Sequence, residues 1–295
     1  MNPYLDPRRV RAALRALDLR PTRGMGQNFL IDPGALATIV EAAALRPDDL
    51  VIEVGPGLGV LTWELTRRAG FTIAVELDKR LAARLRDEFA GAPLRIVQAD
   101  VLRVTPGELL AAAGRQPPYK LVANLPYAIT APVLRHFLEA REPPDLSVVL
   151  VQWEVAERIT AAPGDLSVLA HAVQFYAAPE IVARVPASSF YPQPAVDSAV
   201  LRLRRHDAPP VEIDDANTLF RVIKAGFLHP RKQLGNALAG GLAALGVRVS
   251  REQALAALER AGIAPARRAE TVTLAEWAAL TRALAPLPGV DQGEA

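Results

Sequence analysis

The sequence predicts an α/β fold: a largely parallel sheet covered by helices, extended by an antiparallel edge hairpin and followed by a small all-α C-terminal domain. Three observations carry this. Short apolar runs alternate with helical patterns through the first 150 residues, as in a parallel sheet buried on both faces. A glycine-rich turn, Gly55-Pro56-Gly57-Leu58-Gly59, ends one such run and opens a helical stretch. Beyond about residue 206 the strand-like runs stop and an Ala/Leu-rich helical pattern takes over.

Taken in order, residues 1–20 read as a short amphipathic helix, with Val10, Leu14 and Leu17 at helical spacing. A basic, glycine-punctuated loop follows from Arg20 to Gly26. Asp32 as a cap and Pro33 in the first turn open a helix running to about Leu45. Strands are predicted at 50–54, 71–75, 94–97, 121–123 and 147–151, with helices at about 59–69 and 79–89. The runs 172–177 and 197–204 read as the edge hairpin. His206 to Pro210 reads as a linker, followed by helices at roughly 215–228, 231–245, 251–261 and 274–285. Thr273 with Glu276 forms a capping box for the last of these. The expected domains are therefore 1–205 and 206–290, with a frayed tail at 291–295.

Composition narrows the chemistry. The 295 residues hold no cysteine, which excludes disulfides, thiolate metal sites and cysteine nucleophiles. Four scattered histidines argue against a histidine metal centre, so no metal is expected. No uncharged run approaches the ~20 residues of a membrane span. The charged start, MNPYLDPRRVRAAL, lacks the apolar core of a signal peptide, so a cytoplasmic location is expected.

The glycine turn points to a nucleoside-containing ligand. Glycines there let the backbone turn sharply and approach a bound molecule. Glu76 stands 21 residues after Gly55, at the end of the second strand, where an acidic side chain can accept from both ribose hydroxyls. The dinucleotide fingerprint wants a further glycine where Val60 stands. Glu53, just before the turn, would repel a phosphate and suit a cation. This favours S-adenosylmethionine over NAD. Asp100, beyond the third strand, reads on its own as a helix cap, but its place at the carboxyl edge of the sheet favours accepting from an adenine amino group.

Asn124-Leu125-Pro126-Tyr127 ends the fourth strand at the same sheet edge. An adenine amino group is a poor nucleophile because its lone pair is delocalised into the ring. Two acceptors, the Asn124 side-chain oxygen and the Leu125 carbonyl, would hold its two hydrogens and aim the lone pair at a methyl donor. Pro126 stiffens the loop, and Tyr127 offers a flat face for a flipped-out base. Positioning would supply most of the rate enhancement.

With these residues in view, the chain from Arg20 to about Leu284 resembles the small-subunit (16S) rRNA adenine N6,N6-dimethyltransferase family (KsgA), related to the Erm enzymes. The resemblance rests on Gly26-Gln27-Asn28-Phe29-Leu30, Glu53 to Gly59, Glu76-Leu77-Asp78, Asn124 to Tyr127, Gln152 to Arg158, Leu166 to Leu169, and Phe190 to Ser198. It implies a Rossmann-like class I methyltransferase domain and a helical domain for RNA or ribosome contact. It implies cofactor contacts from Asn28, Leu30, Gly55, Gly57, Glu76, Asp100 and Asn124. It also implies a Phe190 ring opposite Tyr127 across the target adenine; Phe190 reads alternatively as a core anchor. The implied substrate is a pair of adjacent adenines in the 3′-end hairpin loop of small-subunit rRNA, each dimethylated during ribosome biogenesis. An Erm-like action on large-subunit rRNA and a ribosome-assembly factor with dispensable methylation are the alternatives. A monomer is expected. Ala128 and Thr130 stand where the family usually has Asn and Ser, and Pro230 and Gly235 where a basic residue is common.

The net charge of only +2 conceals a polar layout. Residues 1–30 hold six arginines against two aspartates, and residues 219–251 hold six basic residues and no acidic one. Both segments could flank one cleft and bind phosphates, with Arg231 and Lys232 as RNA contacts.

Overall fold

The structure is a computed structural model that describes residues 2–19 and 28–284. Gly26, Gln27, the basic loop from Arg20 and the tail at 291–295 lie outside the described residues. The chain forms two compact units. One comprises Met1–Glu157 with Ala177–Arg205, the other Arg158–Tyr176 with His206–Ala295.

The first unit opens with α1 (Pro7–Ala16), the short strand β1 (Phe29–Leu30) and α2 (Pro33–Ala42). Asp32 caps α2 as its sequence predicts, accepting from Gly34 N–H at 2.8 Å and Ala35 N–H at 3.1 Å. Alternation then runs β2 (Leu50–Val54), α3 (Val60–Arg68), β3 (Phe71–Glu76), α4 (Lys79–Glu88), β4 (Leu94–Gln98), α5 (Pro106–Ala112), β5 (Lys120–Asn124), α6 (Thr130–Leu138), β6 (Leu146–Gln152) and α7 (Trp153–Ile159). The strands β7 (Ala177–Val185), β8 (Phe190–Tyr191) and β9 (Ser198–Arg205) complete it.

Seven strands form one sheet in the order β4-β3-β2-β5-β6-β9-β7. The first five are parallel; β9 runs antiparallel to β6, and β7 antiparallel to β9. All five residues of β2 are buried, because helices cover the sheet and β2 has strands on both sides. Val51, Val122 and Val148 of the sheet pack with Leu36 and Ile39 of α2 and Leu61 and Leu65 of α3. Each such side chain contributes about 1.5–3 kcal/mol on burial.

The edge hairpin exists, but its first strand is displaced from the predicted position. Residues 172–176 are helical, ending α8 (Val168–Tyr176), and β7 begins at Ala177. Buried residues of α8 follow one another without a polar face: Leu169, Ala170, His171, Ala172, Val173 and Phe175. A helix buried all round has no period to read, so it resembles a buried strand. The same helix packs with the second unit, although its place in the sequence lies between two strands of the first. The pairing of β1 with β8 into a separate two-stranded sheet has no clear sequence signal, since each strand has only two residues.

In the second unit α8 packs with α9 (Ala216–Phe227), α10 (Leu234–Ala244), α11 (Arg251–Arg260) and α12 (Leu274–Leu284) around the fully buried Trp277. The Thr273–Glu276 capping box of α12 is formed, with Thr273 N–H to Glu276 Oε2 at 2.8 Å and Glu276 N–H to Thr273 Oγ1 at 3.3 Å. Where α10 crosses α9, a Cβ on Gly241 would lie 2.1 Å from the Ala225 carbonyl oxygen. Gly240 beside it is exposed and has nothing within 4 Å of such an atom. Gly241→Ala is therefore expected to destabilise the protein by about 1–3 kcal/mol through overpacking. Gly240→Ala should gain up to about 1 kcal/mol of helix propensity. Urea unfolding of the two variants checks this; equal stabilities would contradict the close crossing.

Candidate active site

From β2 the chain winds outward to β3 and β4, then returns to place β5 on the other side of β2. Such a reversal leaves a crevice beyond the carboxyl ends of the strands. A cavity of about 450 Å³ lies there, large enough for a nucleoside-sized ligand. Asn28, Leu30, Gly55, Gly57, Glu76, Asp100 and the segment Asn124 to Tyr127 all line it. Sequence positions almost one hundred apart are thus brought to one site.

Gly55, Gly57 and Gly59 have φ of +67°, +58° and +91°, which only glycine adopts freely. At Gly57 a Cβ would also lie 3.2 Å from the Phe29 ring. Its N–H donates to Glu76 Oε2 at 3.1 Å, while Asp78 N–H donates to Glu76 Oε1 at 2.9 Å. Two backbone donors fix this carboxylate in the cavity wall. Burial nevertheless holds the Glu76 carboxyl above its ordinary pKa, against the pull of those hydrogen bonds.

Glu53, the penultimate residue of β2, sits in a drier setting. It is 1% exposed and accepts from the Thr62 hydroxyl at 2.7 Å. Burial pushes its pKa up to about 8, and the nearby Glu76 carboxylate pushes the same way. The expected carboxylate is therefore mostly a neutral acid near pH 7. Asp78 and Asp100 complete an acidic lining, and no Lys or Arg among the described residues lines the cavity. Asp100 acts as a cap, its Oδ1 accepting from Leu102 N–H at 3.0 Å, and the residue also lines the cavity.

The Asn124 loop is held from several sides. Asn124 Nδ2 donates to the Asn28 carbonyl at 3.2 Å, which orients the amide. Leu125 N–H donates to the Leu150 carbonyl at 3.2 Å. The Pro126 carbonyl accepts from Ile129 N–H at 3.1 Å and from the Thr130 hydroxyl at 3.4 Å. Thr130, one of the departures from the family pattern, thus supplies a hydroxyl to the loop. The Tyr127 phenol and Ser198 Oγ share a hydrogen bond of 2.7 Å, and burial raises the phenol's pKa.

Phe190 is not brought to this group. It is 3% exposed, pairs with Leu30 across the β1–β8 ladder, and packs in the core with Leu36 and Ile39. The expected stacking partner of Tyr127 is, in this structure, the core anchor that was its alternative reading. Its apolar ring is sequestered because β8 is tied to β1. Two contributors escaped the sequence. Leu77 lines the cavity with 68% exposure, an apolar side chain left open at a ligand site. Ser198 anchors Tyr127 from β9; it belongs to a quoted motif, but its type carries no role on its own.

In the helical unit, Arg231 and Lys232 are exposed in the turn between α9 and α10. Gly235 follows them, and a Cβ there would lie 2.9 Å from the Pro265 side chain. Close packing against Pro265 explains why no basic residue occupies that position.

A seven-stranded sheet with one reversed strand near its edge, and an acidic, glycine-turned cavity at its switch point, defines a Rossmann-like methyltransferase. The chain belongs to the ribosomal RNA adenine dimethylase family, whose model matches residues 20–285. It is 50% identical over 260 residues to ribosomal RNA small subunit methyltransferase A of Dehalococcoides mccartyi, covering 88% of this chain and 87% of that one. The protein of the same name from Moorella thermoacetica is 42% identical over 292 residues, covering 96% and 99%. Among solved structures, the 23S rRNA methyltransferase ErmE superposes with a TM-score of 0.66 at 32% identity, over 88% of this chain and all of that one. A Plasmodium falciparum dimethyladenosine transferase shares the fold at a TM-score of 0.72 and 24% identity, over 88% and 98%.

The Glu53 environment predicts a pH signature. Its folded pKa of about 8 lies above the ordinary 4.5, so the folded chain keeps a proton that the unfolded chain releases. The stability due to this group is complete below pH 4.5 and is lost as pH rises towards about 8, at roughly 1.4 kcal/mol per pH unit. Glu53→Gln, which keeps an acceptor for Thr62, should remove this decline. Unfolding free energies of both proteins at pH 5, 6.5 and 8 check it; parallel profiles would contradict it.

Proposed function

We propose that this protein transfers methyl groups from S-adenosylmethionine to N6 of two adjacent adenines in the 3′-end hairpin loop of small-subunit rRNA. It acts as a cytoplasmic monomer during ribosome biogenesis. The observation that carries this reading is that one cavity joins the Asn124–Tyr127 loop to Glu76 and the glycine turn. The relatives named for the small subunit are 50% and 42% identical, against 32% for the large-subunit enzyme, so the small-subunit target is favoured.

The cavity's residues fit the cofactor. Glu76, fixed by two backbone donors, keeps lone pairs for the ribose hydroxyls. Asp100 can accept from the cofactor's adenine amino group, and the exposed Leu77 offers an apolar cover for the base. Asn28, Leu30, Gly55 and Gly57 form the remaining wall. An acidic lining with no Lys or Arg among the described residues suits a sulfonium and opposes a pyrophosphate. When bound, S-adenosylmethionine supplies a methyl group already activated on a positively charged sulfur.

The protein's task is then to hold the acceptor nitrogen. The Asn124 oxygen and the Leu125 carbonyl accept the two amino hydrogens, drawing the nitrogen towards tetrahedral geometry. Their orientation is set in advance by the Asn124–Asn28 and Leu125–Leu150 hydrogen bonds. Pro126 offers no competing donor. Tyr127, pinned through its phenol by Ser198, presents its ring for stacking.

Methyl transfer from labelled cofactor to undermethylated small subunits, followed by nucleoside analysis, tests this directly. Labelled N6,N6-dimethyladenine is expected in small-subunit RNA; label confined to large-subunit RNA would overturn the reading. Asn124→Ala should lower transfer by roughly 100-fold or more. Tyr127→Ala should lose about 10- to 100-fold, the worth of one stacked base, and Tyr127→Phe much less. Full rescue of ribosome assembly by inactive Asn124→Ala would shift the main role to binding. In the helical unit, neutralising Arg231 and Lys232 together should flatten the salt dependence of RNA binding by about 1.4–1.8 in log–log slope. An unchanged slope would exclude them as phosphate contacts.

A further inference from the structure

The N-terminal helix α1 carries a charge pattern that the cofactor site does not use. Arg8, Arg11 and Arg15 recur at helical spacing and are all exposed. The opposite face, Val10, Ala13 and Leu14, is buried. Arginines elsewhere in this unit are commonly neutralised: Arg84 by Glu88, Arg135 by Glu139, Arg205 by Asp145. None of the three on α1 has a carboxylate partner among the described residues. Three uncompensated charges thus lie along roughly 10 Å of helix, the length of about three successive phosphates on one strand.

The helix packs on the cavity wall through its buried face, and the arginine row reaches towards that wall at Arg11. The Arg11 guanidinium lies 5.5 Å from the centre of the Tyr191 ring, and Tyr191 pairs across the small sheet with Phe29, which lines the cavity. The buried face of α1 packs in one cluster with Phe29 and Leu81, both of which line it. Arg80 fastens the helix's far end through the Leu17 and Asp18 carbonyls at 3.2 and 3.3 Å.

We propose that the Arg8–Arg11–Arg15 face of α1 is a phosphate-binding track that holds the rRNA strand leading to the target adenine. The proposal rests on the rRNA reading above and deepens it. A basic amphipathic helix can also lie on an anionic membrane, but that requires a free apolar face. Here Val10 and Leu14 are 2% and 4% exposed, so that face is spent on the core. Planar guanidiniums bind phosphate oxygens in pairs, and the choice of Arg over Lys needs no weight in a chain with only four lysines.

The test compares the full chain with a triple variant, Arg8→Gln, Arg11→Gln and Arg15→Gln. A charge-matched control carries Arg86→Gln, Arg95→Gln and Arg115→Gln, all exposed positions on other elements. Binding to undermethylated small subunits is measured over a range of salt, with S-adenosylmethionine binding by calorimetry and thermal unfolding alongside. The triple variant is expected to bind the subunits at least about tenfold more weakly, with the log–log salt slope reduced by roughly 2–3. Its cofactor affinity and unfolding temperature should match the full chain, and the control should bind as the full chain does. An unchanged slope, or an equal loss in the control, overturns the track while leaving the rRNA reading intact. Loss of binding to phosphatidylglycerol vesicles, with subunit binding unchanged, overturns it in favour of a membrane. If the unaltered protein neither binds nor methylates small subunits, both readings fall.

Discussion

The adjacency of β2 and β5 is the constraint on which the site depends. β2 ends in the glycine turn and β5 ends in Asn124, and their pairing at Val51–Lys120 and Ile52–Leu121 sets both loops over one crevice. No local propensity brings those loops together. The adjacency follows from the winding of the chain, outward through β3 and β4 and back across β2. Once it is made, the buried apolar strands fix register, since a one-residue slip would turn Ile52 and Leu121 against the wrong neighbours. The Lys120 ammonium bonded to Asp49 at 2.6 Å adds a polar clasp at the opposite end of this strand pair.

Around that centre the loops are stiffened by hydrogen bonds that cross between elements. Glu76 joins the end of β3 to the glycine turn, Asn124 joins β5 to the segment before β1, and Tyr127 joins the β5 loop to β9. The antiparallel edge therefore serves the site: Ser198 is the first residue of β9 and reaches the one aromatic ring of the Asn124 loop. A chemistry that relies on placing a weakly nucleophilic nitrogen gains most from such pre-organisation, because little barrier lowering is left to proton transfer or metal ions. Isolated buried carboxyls would ordinarily be costly; here Thr62 and the backbone N–H groups of Gly57 and Asp78 offset part of that cost.

Much of this was legible in residue order. Glycines at a strand end, Glu76 at the next strand end and Asn124-Leu125-Pro126-Tyr127 at a later one occupy equivalent ends of parallel strands, so alternation places them on one edge of the sheet, and the strand order then makes them neighbours. Residue 172–177 was not legible, because a helix buried on every side and a buried strand present the same unbroken apolar run. The fate of Phe190 was not legible either. Its neighbours in the proline-rich segment suit a ligand-facing loop, whereas a two-residue ladder with Phe29–Leu30 turns its ring into the core. That ladder joins positions about 160 residues apart and leaves no periodicity. The sequence could likewise place Glu53 beside a ligand but could not reveal its protonation, which depends on how completely the fold dries it.

Net charge is the property in which sequence and structure are most usefully combined. A value of +2 argues weakly against a nucleic-acid partner, and its segmentation argues for one. Segmentation alone still cannot separate a binding surface from a solvated helix face, since exposed arginines are ordinary. Pairing supplies the missing distinction. A guanidinium beside a carboxylate presents little field to a distant phosphate, whereas an uncompensated row retains it, screened only beyond the ~8–10 Å Debye length of physiological salt. On that criterion α1 differs from α6, whose Arg135 is paired with Glu139, and from α4, where Asp78 and Glu88 pair Arg80 and Arg84 and leave Arg86 as a single charge rather than a row. On the proposed reading the cavity and the helix divide the work between them: Glu76, Asp78 and Asp100 in the cavity lining oppose phosphates, and the α1 cations outside it receive them. A polynucleotide held by its backbone outside the cavity can present a base to the interior without its own charge entering the acidic site.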